Sequence, residues 1–298
     1  TDTGVNLLPP GETPHENAQF LLFLVAVIQA VDDYQDLLRL SVATAGNDHR
    51  LGANEAPPAV VSMFLGDELT AVLDAIEKDE PYSGVEKTVM KLGVHTLPRF
   101  IRDTTDRNRT SPFAFTGNKF EFRSLGSAQS ISGPNVILNT AIADTLMKMA
   151  DELEGAEDMT TAVDALIRKT LSAHMRIIFN GNGYDQAWVE EAKRRGLLNL
   201  PTTVDALPYY VAPKNIALFE RQKVFTREEV ESRYEIKMET YIKVIDIEAL
   251  STIDISRHLI LPAASIPRIC TPACPWRSAP RGACIPVHPP SVSFEIFQ

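Results

Sequence analysis

The spacing of apolar side chains changes several times along the chain and predicts long helices separated by short strands. Apolar residues recur at helical spacing after Pro134, which opens a predicted helix over residues 134–154. The other stretches predicted to be helical are residues 13–38, 66–80, 158–179, 185–196 and 226–261. Charged and aromatic residues alternate strictly over residues 119–123, which is typical of a strand, and residues 40–43 and 59–65 are also predicted to be strands.

Polar residues mark the beginnings of several of these helices. Thr13 is placed to cap a helix that has Pro14 at its first position. Thr226, followed three residues later by Glu229, predicts a capping box, and Asp185 is placed to cap a short helix. The helix that begins after Thr226 is so long that it needs a partner to bury against.

The overall charge narrows the classes of function. The 298-residue chain carries a formal net charge of −10 at pH 7, whereas a general nucleic-acid-binding protein needs a basic surface to displace counterions. The longest apolar run, residues 20–28, is too short to span a lipid bilayer. Because no segment led by Arg or Lys precedes that run, we expect a cytoplasmic protein with no nucleic-acid or membrane partner.

The composition changes abruptly after residue 264. Residues 265–298 hold all 3 cysteines and 7 of the 20 prolines, with no helical periodicity. The cysteines and His288 superficially suggest a zinc site, but their spacing does not fit the usual zinc motifs. We interpret residues 265–298 as an anomalous tail, either disordered or translated from a shifted reading frame. Translating the coding DNA in the other two frames tests that interpretation.

Charged residues in the first half of the chain are the candidates for chemistry. Glu121 and Arg123 are two positions apart on a predicted strand, so both side chains project from the same face. Taken alone, such a pair is most often a solvent-exposed ion pair. Arg109 alone is typical of a solvated turn, and Glu55 lies in a loop that leads into Pro57. The order and surroundings of these residues change that interpretation.

Several stretches in sequence resemble the type III glutamine synthetase family. Residues 46–57 resemble the family segment in which an Arg-Leu pair is followed by Glu-Ala-Pro. Residues 107–110 resemble its Arg-Asn-Arg-Ser turn, and residues 119–123 resemble its metal-binding strand, with residues 127–138 similar to the stretch that follows. The resemblance covers about residues 3–264.

The resemblance implies an ATP-dependent ligase that converts glutamate and ammonia into glutamine through a γ-glutamyl phosphate. It implies that Arg50 and Arg123 bind glutamate, and a bidentate arginine suits the carboxylate of that substrate. Glu121 matches a ligand of Mg²⁺ or Mn²⁺, which prefer carboxylate oxygens. Glu55 matches the catalytic carboxylate that deprotonates ammonium. Arg109 matches a catalytic arginine that faces the ATP phosphates.

Two features depart from the family pattern. The arginine expected after Arg109 is absent, because Ala114 or Phe115 occupies its place, and Lys119 is the alternative candidate for that ATP phosphate contact. The N-terminal sheet domain and the first metal-ligand strands of the family, expected upstream of Thr1, are also missing. We therefore expect a fragment that is inactive alone.

The implied fold is α+β: a partial catalytic barrel of antiparallel strands with outer helices, followed by an α-helical C-terminal region. We assign residues 1–155 to the catalytic domain, residues 156–264 to the helical region and residues 265–298 to the tail. Intact family members form double rings, which implies a homo-oligomer. Two alternatives stay open: a non-catalytic truncated subunit that joins oligomers, and a ligase that joins glutamate to another amine. Formation of γ-glutamyl hydroxamate by the chain alone would argue against the fragment interpretation.

Overall fold

Helices make up most of the chain, and a small sheet accompanies them. The computed structural model describes residues 3–53, 56–80, 82, 89–90, 100–101, 111–126 and 129–265. The chain divides into two units, residues 1–246 and residues 247–298. Within the described residues, no helix is both long and apolar enough to cross a lipid bilayer.

Most helices belong to the first unit. In chain order its α-helices are α1 (Ala18–Asp33), α2 (Gln35–Ser41), α3 (Ala45–Asp48), α4 (Asp67–Lys78), α5 (Ser132–Leu153), α6 (Met159–His174), α7 (Gln186–Arg194), α8 (Thr203–Ala206), α9 (Pro213–Arg221) and the start of α10 (Arg227–Ile255). Short 3₁₀ helices lie at Pro14–Glu16, Met175–Ile177 and Leu207–Val211. In the second unit, α10 ends and the helical path continues through a π-helix (Ser256–Ile260) and α11 (Leu261–Ser265).

The predicted helix over residues 13–38 is two helices, and its predicted cap is wrong. Thr13 makes no side-chain capping hydrogen bond. Asn17 caps α1 instead, because its side chain accepts a hydrogen bond from the Phe20 N–H at 3.0 Å. The helix then breaks at Tyr34 (φ −118°, ψ 28°), and α2 begins at the next residue.

Most of the other predicted helices are confirmed. The helix predicted over residues 134–154 corresponds to α5, residues 66–80 contain α4, and residues 185–196 contain α7. Asp185 caps α7 by accepting from the Ala187 N–H at 3.1 Å. The capping box also forms: Glu229 accepts from the Thr226 N–H at 2.8 Å, and Thr226 Oγ1 accepts from the Glu229 N–H at 3.3 Å.

The helix predicted over residues 158–179 ends early. The α-helix α6 stops at His174, and a single 3₁₀ turn follows. Phe179 then donates its N–H to the Met63 carbonyl oxygen at 2.8 Å. The backbone of residue 179 thus pairs with a strand segment rather than with the preceding helical turn.

One predicted strand is wrong and a second is shorter than predicted. Residues 40–43 do not form a strand, since Leu40 and Ser41 form the end of α2. Every residue of α2 is buried, and a short helix buried on all sides shows the same continuous apolar run as a buried strand. The strand predicted over residues 59–65 is limited to β1 (Met63–Phe64).

The sheet that carries the candidate residues has three strands and mixed direction. In it, β1 pairs in parallel with β4 (Phe113–Phe115), and β4 pairs antiparallel with β5 (Phe120–Phe122). A separate antiparallel pair joins β2 (Val89–Met90) to β3 (Phe100–Ile101). The described strands therefore support the α+β class but do not by themselves form a barrel.

The sheet packs with one side against a helical core. The helix α1 lies at the centre of that core and contacts α5 and α6, with Phe20, Leu24 and Ile28 fully buried. Phe113 of the central strand is also fully buried. Because successive residues of a strand point to opposite faces, the aromatic residues of β5 turn toward the core and its charged residue turns away.

Candidate functional site

The strand β5 places two charged side chains together, as its alternating pattern predicts. Arg123 donates to Oε2 of Glu121 from Nε at 3.1 Å, and its Nη2 lies 3.1 Å from the same oxygen. Lys119 Nζ lies 3.5 Å from Oε1 of Glu121, and Thr116 Oγ1 donates to that oxygen at 3.4 Å. Arg123 is held in register because its N–H donates to the Pro112 carbonyl at 2.7 Å.

The charges around Glu121 keep its carboxylate ionised. The hydrogen bond from Arg123 lowers the pKa of Glu121 below its ordinary value, and Lys119 adds to that effect. The side chain of Glu121 is 37% exposed and that of Arg123 is 18% exposed. An accessible carboxylate beside a largely shielded guanidinium can bind a cation with one group and a carboxylate with the other.

Glu121 and Arg123 line a cleft of about 530 Å³. The same cleft is also lined by Arg39, Leu51, Pro57 and Tyr184, among others. Leu51, Ala56 and Pro57, which belong to the predicted Arg-Leu and Glu-Ala-Pro motifs, thus line the same cleft as the strand residues. The volume is sufficient for an amino acid.

The loop that carries Arg50 borders this cleft. Leu51, the next residue, lines it directly, and the Arg50 N–H donates to the Asn47 carbonyl at 3.0 Å. The buried Asn47 side chain donates to the carbonyls of Val42 at 2.7 Å and Leu125 at 2.9 Å. Since Leu125 follows Arg123 by two residues, Asn47 ties the Arg50 loop to the end of the candidate strand.

The remaining predicted site residues divide into two groups. Glu55 and Arg109 lie outside the described residues, and so do residues 266–298 with the three cysteines. Lys119 is described, 64% exposed, and directed at Glu121. The predicted roles of all these residues stay predictions.

The place of the arginine missing from the family pattern is apolar. Ala114 pairs with Glu121 across the strands, and Phe115 packs in the core. Both residues, together with Phe20 and Arg123, line a second hollow of about 570 Å³. Arg123 therefore lines both the cleft and this second hollow. Among the described residues that line the second hollow, Arg123 is the one with a basic side chain.

A complete metal site is not formed by the described side chains. Within residues 3–53, 56–80, 111–126 and 129–265, no three His, Cys, Asp or Glu side chains cluster closely enough to hold a metal ion. Glu121 fits a divalent cation as one carboxylate ligand. The other ligands must come from elsewhere, so no catalytic step through a metal is derived for this chain.

Sequence patterns did not indicate the residues that support the Arg50 loop. Arg39 is buried, donates from Nε to the Leu200 carbonyl at 2.8 Å, and approaches Asp48 with Nη2 at 3.8 Å. Asp48 in turn accepts hydrogen bonds from Thr203. Arg39 and Leu200 are more than 150 residues apart in the sequence, and so are Asp48 and Thr203. Local sequence patterns therefore carry no signal of these contacts.

Comparison with known proteins gives these features a family context. Residues 162–267 match the model of the glutamine synthetase C-terminal domain. Over 266 residues, 88% of the chain, the sequence is 50% identical to the type-3 glutamine synthetase of Dictyostelium discoideum. The chain is therefore similar to a type 3 glutamine synthetase along most of its length. It is also 50% identical to a glutamine synthetase of Butyrivibrio fibrisolvens over 84% of its length.

A third protein shows a similar match. The glutamine synthetase of Bacteroides fragilis (strain YCH46) is 42% identical over 274 residues, which is 89% of the chain. The aligned part spans 36% of the length of the first two relatives and 37% of the third. The similarity to these glutamine synthetases thus extends well beyond the matched domain at residues 162–267.

Proposed function

We propose that the chain contributes the glutamate-binding part of a glutamate–ammonia ligase. In that reaction ATP converts glutamate into a γ-glutamyl phosphate, and ammonia then displaces phosphate to give glutamine. The observation that carries the proposal is the ion pair of Glu121 and Arg123 on one strand face, lining a cleft that the Arg50 loop borders. The named relatives, which are glutamine synthetases, support it.

In this proposal the arginines recognise the substrate. A guanidinium forms two parallel hydrogen bonds to a carboxylate, so Arg123 and Arg50 together can bind glutamate in one orientation. The partial burial of Arg123 strengthens that attraction, because an ion pair is weakened less by solvent when it is shielded. The glutamate carboxylate would replace part of the contact that Arg123 now makes with Glu121. Glu121 would then be available to bind a cation.

The other assignments follow the family motif residue by residue. Glu121 would be one ligand of Mg²⁺ or Mn²⁺, which neutralise charge on a transferring phosphoryl group. Lys119 and Arg109 would face ATP phosphates, and Glu55 would accept a proton from ammonium. The strands would belong to a larger barrel of the cytoplasmic enzyme.

We also propose a homo-oligomer. In residues 1–246, α10 exposes Ile236, Ile242 and Ile245, and in residues 247–265 the helices expose Leu250 and Leu259 among other apolar residues. Exposed apolar side chains in such number are typical of surfaces that associate. The same observation supports the alternative role of a non-catalytic subunit that joins oligomers.

Replacing Glu121 with glutamine tests the proposed metal ligand. The neutral amide removes one anionic ligand while keeping the shape of the side chain, so the dissociation constant for Mn²⁺ is expected to rise about tenfold. Electron paramagnetic resonance of free Mn²⁺ measures it. Glu235→Gln, on the exposed surface of α10, is the matched control and should leave binding unchanged. Equal Mn²⁺ affinity in the Glu121→Gln variant and the parent chain would count against Glu121 as a ligand.

A further inference from the structure

The carboxylate of Asp48, two residues before Arg50, binds Thr203 of the helical region. Both oxygens of Asp48 lie 2.9 Å from the Thr203 N–H, and Oδ1 also accepts from the Thr203 hydroxyl at 2.8 Å. Thr203 is 2% exposed. It opens α8 and lies within residues 162–267, which match the C-terminal domain. The contact therefore joins two segments that are 155 residues apart in the chain.

Neighbouring contacts hold the Thr203 side of this connection in place. Arg39 donates from Nη2 to the Pro201 carbonyl at 3.2 Å, and the same Nη2 lies 3.8 Å from Asp48 Oδ1. Burial, followed by the nearby Asp48 carboxylate, raises the pKa of the Tyr241 hydroxyl. Tyr241 belongs to α10, so three elements of the helical region and core converge on Asp48.

The capping of α8 does not require Asp48. Thr202 and Asp205 already form a capping box, in which the Thr202 hydroxyl accepts from the Asp205 N–H at 3.2 Å and Asp205 accepts from the Thr202 N–H at 3.2 Å. Asp48 binds the additional donors of Thr203 and stands two residues before Arg50. Asn47, the residue before Asp48, donates to the Leu125 carbonyl at 2.9 Å. The loop is thus held between the candidate strand and the helical region.

We infer that Asp48 and Thr203 are positioning residues, through which the helical C-terminal region sets the placement of Arg50 at the cleft. The inference rests on the proposed function, because it assigns Arg50 to glutamate. A loop held on both sides keeps a long arginine side chain near one geometry and reduces the conformational entropy lost on binding. The effect reaches the substrate only through Arg50.

The test compares three variants of the full chain: Thr203→Val, Thr203→Ser and Asp48→Asn. Valine has the shape of threonine without the hydroxyl, and serine keeps the hydroxyl. We expect Thr203→Val and Asp48→Asn to raise the glutamate dissociation constant about tenfold, whereas Thr203→Ser should stay within about twofold of the parent. Isothermal titration calorimetry measures the affinity. Hydrogen exchange of the unliganded chain measures whether the amides of Arg50 and Leu51 lose protection.

The outcomes separate the inference from the proposed function. Faster exchange confined to the Arg50 loop, with weaker binding in the valine variant and rescue by serine, supports the inference. If the parent chain binds no glutamate but the amides of the Arg50 loop exchange faster in the variants than in the parent, the proposed function fails. The conclusion that Asp48 and Thr203 hold the loop in place is then still supported. Unchanged exchange, unchanged affinity despite a loosened loop, or faster exchange throughout α5 as well would each overturn the positioning role.

Discussion

Replacing Arg123 with lysine is expected to weaken glutamate binding by the chain roughly 30-fold. Lysine keeps the positive charge but cannot make the two parallel hydrogen bonds of a guanidinium to a carboxylate. Arg123 is also largely shielded from solvent, so solvent would not replace the lost bonds well. Isothermal titration calorimetry with glutamate, on the full chain, measures the change.

A matched control separates this effect from a general loss of arginine. Arg168→Lys makes the same substitution in α6, at a side chain that is 41% exposed and paired with Asp79. It should leave glutamate affinity within about twofold, as expected for an exposed ion pair. If Arg123→Lys and Arg168→Lys had equal affinities for glutamate, Arg123 would not be the carboxylate-binding group.

Replacing Asp144 with asparagine is expected to lower the free energy of unfolding by about 3 kcal/mol. Asp144 is fully buried in α5 and accepts from Arg221 Nε at 2.6 Å, from Tyr34 Oη at 2.9 Å and from Gln222 Nε2 at 3.1 Å. Lys148 Nζ lies 2.8 Å from it. Asparagine removes the charge and turns one acceptor into a donor, so several donors lose their partner. Urea unfolding followed by circular dichroism measures the difference.

The pH dependence of this difference provides a second check. Burial alone would raise the pKa of Asp144, but the hydrogen bonds from Arg221, Lys148 and Tyr34 outweigh it and hold that pKa well below its ordinary value. The unfolded carboxyl titrates near about pH 4. The stabilisation is therefore fully present above about pH 5 and is lost as the pH falls toward the pKa of the folded state. Asp151→Asn, at an exposed position of the same helix, is the control. If Asp144→Asn destabilised the fold at neutral pH as little as this control does, the hydrogen-bond network around Asp144 would contribute little.

The helices that could be predicted from sequence are those with local signals. Caps and apolar spacing are properties of neighbouring residues, and they located α5, α7 and the start of α10 well. Burial on all sides removes that periodicity, which is why residues 40–43 resembled a strand while forming the end of α2. The early end of α6 was missed because the partner of the Phe179 N–H, Met63, belongs to a strand 116 positions earlier in the chain.

The candidate site shows the same division between local and distant signals. The shared face of Glu121 and Arg123 follows directly from the period of a strand, and the structure brings the two side chains into contact. The support of the Arg50 loop by Asp48 and Thr203 depends on the tertiary fold alone. Polar residues at the end of a short helix are common, and nothing in the spacing of Asp48 distinguishes it from a solvated side chain.

The most direct test of the proposed site is a crystal structure of the full chain grown with Mn²⁺ and glutamate. We expect anomalous scattering from Mn²⁺ within about 2.6 Å of a Glu121 carboxylate oxygen. The α-carboxylate of glutamate should lie about 3 Å from guanidinium nitrogens of both Arg50 and Arg123. Ordered glutamate or Mn²⁺ bound away from this strand face, or Arg50 directed away from glutamate held by Arg123, would contradict the assignment.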